Sequence, residues 1–235
     1  VDTNYVYWTN YRGNTIGRAA LNCSNVNQRF ITTSNNPNGL AINGLNIFWT
    51  RNIGSAIGKA NLDGSGIKES FITTGSFPSG VVVNGTHIFW SHDNKDGSTI
   101  GRANLDGTSV NNNFVACTNS RLTGIIADSE YLYWTSTTGN GIARSRLDGT
   151  EVNEGFATGC NNPCHLSMEV PASTLLMIWA NNSNNTIGKS NVDGTDVNQS
   201  FITGCKSPNG TAINSTHIFW ANYSGNTIGR SNIDG

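Results

Sequence analysis

Charged side chains are scarce in this sequence. Lys and Arg together number 14 and Asp and Glu number 15, so charged residues make up 12% of 235 residues and the net charge is -1. Soluble domains usually carry about 25% charged residues. Proteins that bind nucleic acid usually show a basic surplus or stripe, whereas these cations are few and evenly spread. We therefore expect no nucleic-acid partner, and a surface made polar by Asn, Ser and Thr.

Long apolar runs are also missing. No segment approaches the roughly 18 consecutive apolar residues that a membrane-spanning helix needs, and Val1–Asn4 do not resemble a signal peptide. No apolar stripe of helical period is long enough to compete with the β patterns described below. The sequence predicts an all-β protein without membrane insertion.

Catalytic motifs are a third absence. The chain has no Gly-x-Ser-x-Gly elbow, no phosphate-binding loop and no His-Glu-x-x-His motif. Of the four histidines, His87 and His217 share one repeat position, which favours a structural role, and His165 lies beside two cysteines. Glu169 is an exception, because it falls in an inner-strand phrase where a carboxylate could face a ligand or point to solvent. We expect no catalytic residues and no cofactor.

What the sequence does contain is a repeat that includes every tryptophan. The spacing between successive tryptophans is 41 to 45 residues, and each follows an aromatic or aliphatic neighbour. A second phrase of the type Thr-Ile-Gly-Arg and then an Asp-Gly turn follow in nearly every copy. The six tryptophans, predicted to pack in the core, are Trp8, Trp49, Trp90, Trp134, Trp179 and Trp220.

Each repeat reads as four short β runs separated by turns rich in Gly, Asn and Asp. The Asp-Gly pairs predict two-residue hairpins with type I′ turns, in which both central residues have positive φ. A unit of about 40 residues with four strands is typical of a propeller blade, and each blade buries its faces against its neighbours. The sequence predicts a six-bladed β-propeller of four-stranded antiparallel blades.

The tryptophan phrases also resemble a known family. Tyr7-Trp8-Thr9-Asn10, Phe48-Trp49-Thr50-Arg51 and Tyr133-Trp134-Thr135-Ser136, with Ile-Gly-Arg/Lys and Asp-Gly downstream, are similar to the YWTD (low-density lipoprotein receptor class B) repeats and their bacterial relatives. The resemblance covers nearly the whole chain and implies a six-bladed propeller with the motif on the second strand of each blade. The family's fourth motif residue is typically Asp, which tethers blades; these positions here are Asn10, Arg51, His92, Ser136, Asn181 and Asn222.

Alignment of the repeats predicts that the first and last blades are incomplete. Val1 aligns with the end of a first strand, and Asp234-Gly235 with the turn between a third and a fourth strand. The count is then five first, six second, six third and five fourth strands, which is 22 in all. We expect residues 1–235 to be one propeller domain, and a segment of a longer chain.

Five cysteines leave at least one outside any internal pair. Proximity in the chain predicts a Cys160–Cys164 disulfide, and a Cys164–Cys205 pair between blades is the alternative. Zinc binding is another reading of these cysteines. A zinc site usually needs four ligands in two close pairs, whereas this sequence has one close pair of cysteines, with His165 beside it. The state of Cys23, Cys117 and Cys205 is left open.

Two classes of function remain. The first is a non-enzymatic binding or structural module that presents its faces to a protein or glycan, or to copies of itself, in an extracellular or cell-surface setting. The second is a propeller enzyme, a lyase or lactonase-like hydrolase, with a cation site in its central channel. Candidate oxygen ligands for Ca²⁺ stand at one repeat position, where they could equally be turn residues: Asn43, Asn84, Asp128 and Asn214.

A ring of basic residues raises the idea of phosphate or sulfate binding. Their positions on third strands, away from the axis, instead favour packed stems with exposed charged groups. The six residues are Arg18, Lys59, Arg102, Arg144, Lys189 and Arg230.

Overall fold

The computed structural model describes residues 2–22, 24–93, 97–119, 121–169, 176–225 and 227–234. The side chains of Asp93 and Glu169 are outside this description, so the prediction made for Glu169 is not addressed, and neither is the state of Cys23. Among the described residues no helix has the length and apolar character needed to cross a bilayer.

The described chain forms 22 strands, the number and distribution that the repeats predict. Blades 2 to 5 have four antiparallel strands each, and blades 1 and 6 have three. Blade 1 contains β1 (Tyr5–Asn10), β2 (Thr15–Ala20) and β3 (Asn27–Thr32); blade 2 contains β4 (Pro37–Asn43), β5 (Asn46–Arg51), β6 (Ala56–Asn61) and β7 (Lys68–Thr73); blade 3 contains β8 (Phe77–Val83), β9 (His87–Asp93), β10 (Ser98–Asn104) and β11 (Asn111–Cys117).

The second half of the chain repeats this arrangement. Blade 4 contains β12 (Leu122–Ala127), β13 (Tyr131–Ser136), β14 (Gly141–Arg146) and β15 (Asn153–Ala157); blade 5 contains β16 (Pro163–Glu169), β17 (Leu176–Asn181), β18 (Thr186–Asn191) and β19 (Asn198–Ile202); blade 6 contains β20 (Pro208–Ile213), β21 (His217–Asn222) and β22 (Thr227–Asn232), with a 3-10 turn at Tyr223–Gly225. The fold is the six-bladed β-propeller predicted from the sequence.

The chain divides into two compact units, Val1–Cys117 and Thr118–Gly235. In the first unit, the core lies between blades 1 and 2 around Trp49 and between blades 2 and 3 around Trp90. In the second unit, it lies between blades 4 and 5 around Trp179 and between blades 5 and 6 around Ile187. Each sheet is too thin to bury its own apolar faces, so stacking on a neighbouring blade stabilises both.

The tryptophans occupy the predicted core positions to different degrees. Trp49, Trp90, Trp134 and Trp179 are fully buried, whereas Trp8 and Trp220, in the three-stranded blades, are half-buried. Trp49 pairs with Gly58 on the next strand, and a Cβ at Gly58 would lie 2.2 Å from the indole Cε2. The glycine of the Ile-Gly-Arg/Lys phrase is therefore the surface on which the indole lies.

The turn predicted as type I′ has a different geometry. In the Asp63-Gly64 turn only Gly64 has positive φ, at 90°, and its N–H donates to the carbonyl of Asn61 at 2.9 Å. The N–H of Asn61 donates to Ser65 O at 2.8 Å. This is a three-residue hairpin with a type I turn followed by a G1 bulge, so Asp63 does not need positive φ.

The predicted Cys160–Cys164 disulfide is not formed, and both residues carry thiols. The two side chains enter different layers of the core. Cys160 packs between blades 4 and 5, where its Sγ accepts from Gln199 Nε2 at 3.4 Å, and Cys164 packs between blades 5 and 6. Closeness in the chain therefore does not bring the two thiols together, because they pack on opposite sides of blade 5.

The third motif residue makes hydrogen bonds between blades. Thr9 Oγ1 donates to Asn38 O at 2.7 Å, and Thr50 Oγ1 donates to Ser79 O at 2.8 Å, each in the following blade. The fourth motif residues Asn10 and Arg51 instead donate to carbonyls of their own blade, Gln28 O and Glu69 O.

Candidate functional site

A polar cleft of about 530 Å³ lies in the second unit, at one end of blades 4, 5 and 6. It is formed where the first strand of each blade begins and where the second strand ends. The residues that line it are Arg121, Thr123, Thr137, Asn162, Cys164, Asn182, Ser207, Asn209, Tyr223 and Ser224.

Each of the three blades contributes the same two loops to this cleft. The loop that leads into the first strand contains Arg121, Asn162 or Ser207, and each of these residues has positive φ, at 58°, 51° and 50°. Thr137, Asn182 and Tyr223 come from the corresponding loops that follow the second strands. Because β16 packs beside both β12 and β20, these loops converge.

Hydrogen bonds fix the positions of the leading loops. The turn residue Asn140 accepts from Asn162 N at 3.2 Å, and Asn185 accepts from Ser207 N at 2.7 Å. The carboxamide of Asn182 reaches into the next blade and donates to Pro208 O at 3.2 Å. These bonds fix the backbone of two leading loops and the side chain of Asn182 before any ligand arrives.

One of the residues that line the cleft carries a protonated thiol. Cys164 Sγ is buried and donates to Pro208 O at 3.5 Å. Burial raises the pKa of the Cys164 thiol to about 12, because the thiolate would lose its hydration. The thiolate is the nucleophilic form, so Cys164 contributes a weak donor at neutral pH.

His165 is the histidine nearest this cleft in the chain. It has positive φ, at 49°, within the bulge of β16, and its Nδ1 is buried without a hydrogen-bond partner. Burial lowers the pKa of His165, and hydrogen bonds with Asn209 oppose this shift in part. The imidazole is therefore neutral near pH 7 and contacts a residue of the lining.

The predicted calcium ligands lie at the other ends of the first strands and not in the cleft. Each accepts backbone N–H groups in a hairpin turn: Asn84 Oδ1 accepts from His87 N at 2.8 Å, and Asp128 Oδ1 accepts from Tyr131 N at 2.6 Å. Asn43 and Asn214 make the same turn contact. These oxygens are occupied as turn acceptors, which does not suit the coordination of a cation, and calcium binding there stays a prediction.

No group of three or more His, Cys, Asp or Glu side chains suited to a metal is found among the described residues. The predicted zinc alternative at Cys160, Cys164 and His165 has no geometric support there, because the two thiols lie in different core layers.

The basic residues of the third strands of blades 1 to 5 lie on aromatic rings. Arg18 Cζ is 3.8 Å from the ring centre of Phe30, and Lys189 Nζ is 3.7 Å from that of Phe201. Arg144 lies 4.5 Å from both Tyr131 and Phe156. Packed stems with cation–π contacts describe these residues, and they form no common anion site within either unit.

Sequence reasoning missed the cleft residues. Their only signal is positional, because Arg121, Asn162 and Ser207 each precede the first residue of an inner strand. Asn and Ser are so frequent in this chain that the lining does not stand out from the composition. Convergence of the loops depends on blade packing, which no local pattern specifies.

Comparisons with known proteins support the fold. No family model matches the chain, and no curated protein matches it. Nidogen, in a complex with laminin, has a TM-score of 0.82 at 20% identity, over 98% of this chain and 89% of that one. A streptogramin B lyase has a TM-score of 0.74 at 21% identity, over 98% of this chain and 76% of that one. A gluconolactonase from Xanthomonas campestris has a TM-score of 0.71 at 13% identity, over 93% of this chain and 79% of that one.

Proposed function

We propose that this chain is a non-enzymatic binding module whose cleft in the second unit holds a polar segment of a protein partner. The observation that carries the proposal is the lining itself: amide and hydroxyl groups of three blades converge on one cleft, and Arg121 is the only described lining residue with a full charge at neutral pH. Such a lining can donate to and accept from peptide groups along an extended segment.

Tyr223 supplies the aromatic contact for such a partner. Its side chain is 68% exposed at the edge of the cleft, and Ser224 Oγ beside it donates to Ser207 Oγ at 2.9 Å. Exposed tyrosines on ordered loops are typical of binding surfaces, because the ring offers a large contact area at a low entropy cost. The similarity to nidogen, solved in a complex with laminin, agrees with a protein partner. A glycan with its hydroxyl groups is the other ligand that the same lining accommodates.

Matched variants test the use of this cleft. Displayed peptide libraries and glycan arrays are screened against the wild-type chain, Tyr223→Ala and Tyr11→Ala. Tyr11 follows the second strand of blade 1, at the same repeat position, and does not line the cleft. We expect the selected ligands to bind Tyr11→Ala unchanged and Tyr223→Ala at least about tenfold more weakly. Ligands that bind both variants with equal affinity would show that the cleft is not the binding site.

The enzyme alternative stays open because two of the similar structures are named a lyase and a gluconolactonase. The observation in its favour is His165, a neutral imidazole beside the lining. Hydrolysis of glucono-lactone and lyase activity on a streptogramin, each with and without calcium, test it directly. Turnover that His165→Gln abolishes, or a chelator-induced fall in thermal stability, would replace the binding proposal.

An extracellular or cell-surface location and membership in the YWTD family are further parts of this proposal. Both rest on the composition and on the repeat motifs, and secretion of the full-length gene product with cell fractionation tests the first.

A further inference from the structure

A serine and a histidine are hydrogen-bonded in the first unit, where the chain passes from blade 2 to blade 3. Ser76 lies in the loop between β7 and β8, and its Oγ contacts Nδ1 of His92, the fourth motif residue of blade 3. His92 is buried, with 1% of its surface exposed, whereas Ser76 is half-buried. A partly accessible hydroxyl therefore faces a buried base.

The partners of Nε2 determine which ring nitrogen of His92 can accept a proton. Nε2 lies 2.7 Å from Asn112 O and 2.5 Å from Thr99 Oγ1. A backbone carbonyl can only accept a hydrogen bond, so Nε2 of the neutral ring carries the hydrogen and Nδ1 presents its lone pair. Ser76 therefore donates to Nδ1, which is the arrangement of a nucleophile and its general base.

The surrounding contacts hold this pair in place. Thr99 Oγ1 donates to Asn112 O at 2.9 Å, so the two groups that face the Nε2–H of the imidazole are bonded to each other. On the side of the serine, Thr74 Oγ1 donates to Ser76 O at 2.8 Å, and Thr74 N donates to Ser55 O at 2.9 Å. Proton uptake at Nδ1 would give an imidazolium whose other N–H already faces two acceptors.

Other blades show that a structural tie at this place does not need a serine and a histidine. In blade 5 the fourth motif residue Asn181 accepts from Asn161 N at 3.2 Å, and in blade 6 Asn222 accepts from Lys206 N at 2.9 Å. Asn161, Lys206 and Ser76 share one repeat position, two residues before a proline of the first strand. An asparagine and a backbone N–H are sufficient for the tie, so the imidazole and the hydroxyl of blade 3 add chemistry that the fold does not require.

Two exposed apolar side chains lie on the loops around the serine. Phe77 is 56% exposed and Ile53 is 60% exposed. Asn52, next to Ile53, donates from Nδ2 to Pro78 O at 3.5 Å, which places the two loops side by side. The other blades have polar residues at these repeat positions, namely Asn36, Arg121, Asn162 and Ser207 for Phe77, and Arg12, Thr138, Ser183 and Ser224 for Ile53. The apolar pair is therefore a feature of this site and not of the repeat.

We propose that Ser76 is a covalent acylation site with His92 as its general base, and that the acyl donor is an activated ester or thioester with an aliphatic acyl chain. Ser76 Oγ attacks the acyl carbon, and its proton passes to His92 Nδ1. The Oγ–C bond forms, the C–O or C–S bond to the leaving group breaks, and the leaving alcohol or thiol takes the proton from His92. The acyl chain contacts Phe77 and Ile53. One acyl group is attached to each chain, so this modification is separate from the binding function proposed for the cleft.

Reaction of the full chain with p-nitrophenyl hexanoate tests the site, with intact mass and peptide mapping as the readouts. We expect one hexanoyl group per chain, located on Ser76 and absent from Ser76→Ala. The matched control is Ser34→Ala, because Ser34 lies in the corresponding loop of blade 2 and its Oγ accepts from the guanidinium of Arg51 at 2.8 Å. This control should be acylated as fast as the wild type. Equal acylation of the wild type and Ser76→Ala would overturn the proposal.

His92→Asn removes the base and keeps an acceptor for the loop. Asparagine is the fourth motif residue of blades 1, 5 and 6, so the fold should be retained, as circular dichroism would verify. We expect the acylation of Ser76 to slow about a hundredfold or more, which is the range that a general base contributes. Acylation of Ser76 at the rate of the wild type would show that His92 does not act as the base.

Phe77→Asn tests the class of acyl donor, because Asn36 and Asn162 occupy this repeat position in blades 2 and 5. Relative to the rates of the same esters with imidazole in solution, the wild type should react about tenfold faster with p-nitrophenyl hexanoate than with the acetate, since the longer chain buries methylene groups. The variant should lose most of this preference. Equal relative rates of the two esters in the wild type would exclude an aliphatic acyl chain as the recognised group.

Discussion

Trp49 and Gly58 show how one residue determines another across a strand pair. The buried indole leaves no room for a Cβ, so the recurrent Ile-Gly phrase follows from the recurrent tryptophan. Blade 4 differs, because Ala143 faces Trp134 at the same register position. Blade 4 thus accommodates one methyl group at this register position.

Gly58→Ala is expected to destabilise the fold by about 1 to 3 kcal/mol, since the new methyl group forces the indole or the strand to move. Ala143→Gly is the matched control, and a loss below about 1 kcal/mol is expected from backbone entropy and a lost methyl contact. Urea unfolding followed by tryptophan fluorescence measures both. A Gly58→Ala variant as stable as the wild type would show that the indole stacking does not constrain this position.

At the scale of strands and turns, the repeated Asp-Gly hairpin joins the third and fourth strands of a blade. Asp63 Oδ1 accepts from both Ser65 N, at 2.8 Å, and Ser65 Oγ, at 2.6 Å. The pKa values of the four equivalent aspartates are lowered, chiefly by these hydrogen bonds, in Asp63, Asp106, Asp148 and Asp193. The carboxylate form therefore stabilises each turn.

Acid is expected to weaken these turns. A folded-state pKa below the ordinary value of 3.8 means that the stabilisation is complete above about pH 4 and is lost as the pH falls through the folded pKa. Replacement of all four residues by Asn retains the acceptor but not the titration. Thermal melts from pH 7 to pH 2 should show a lower stability of the fourfold variant at pH 7, because a neutral amide is a weaker acceptor than a carboxylate, and a smaller acid-induced loss in that variant. If the melting temperatures of the two proteins fell in parallel as the pH was lowered, the acid-induced loss could not be assigned to these four aspartates.

These elements also show where sequence reasoning stops. The strands and their order follow from apolar alternation and turn residues, and the predicted count of 22 is confirmed. The turn type was wrong, because an Asp-Gly pair fits both a two-residue and a three-residue hairpin, and the choice depends on the bonds of Asn61 and Ser65. The cysteine prediction failed for a related reason: closeness in sequence does not reveal which side of the sheet a thiol enters.

At the scale of the whole molecule, low charge affects association more than folding. With a net charge of -1 and an isoelectric point near 6.4, copies of the chain repel each other weakly. Self-association, one of the functions that the sequence suggests, is therefore expected to be strongest near that pH.

Static light scattering between pH 5 and pH 8 measures this tendency. We expect the second virial coefficient to be lowest near pH 6.4 and to rise as the net charge grows on either side. A monomer at high concentration throughout this range would eliminate the self-assembly function. The proposed role of the cleft would be unaffected by that result.

The sequence by itself determined the all-β class, the six repeats, the place of each tryptophan and the positions of the Asp-Gly turns, because these depend on residues close together in the chain. Only the tertiary structure decided that the loops holding Arg121, Asn162 and Ser207 converge on one cleft, and that Cys160 and Cys164 enter different layers of the core. The physical reason is that burial and convergence are properties of neighbouring strands and blades, and identical local sequences meet different neighbours in the folded chain.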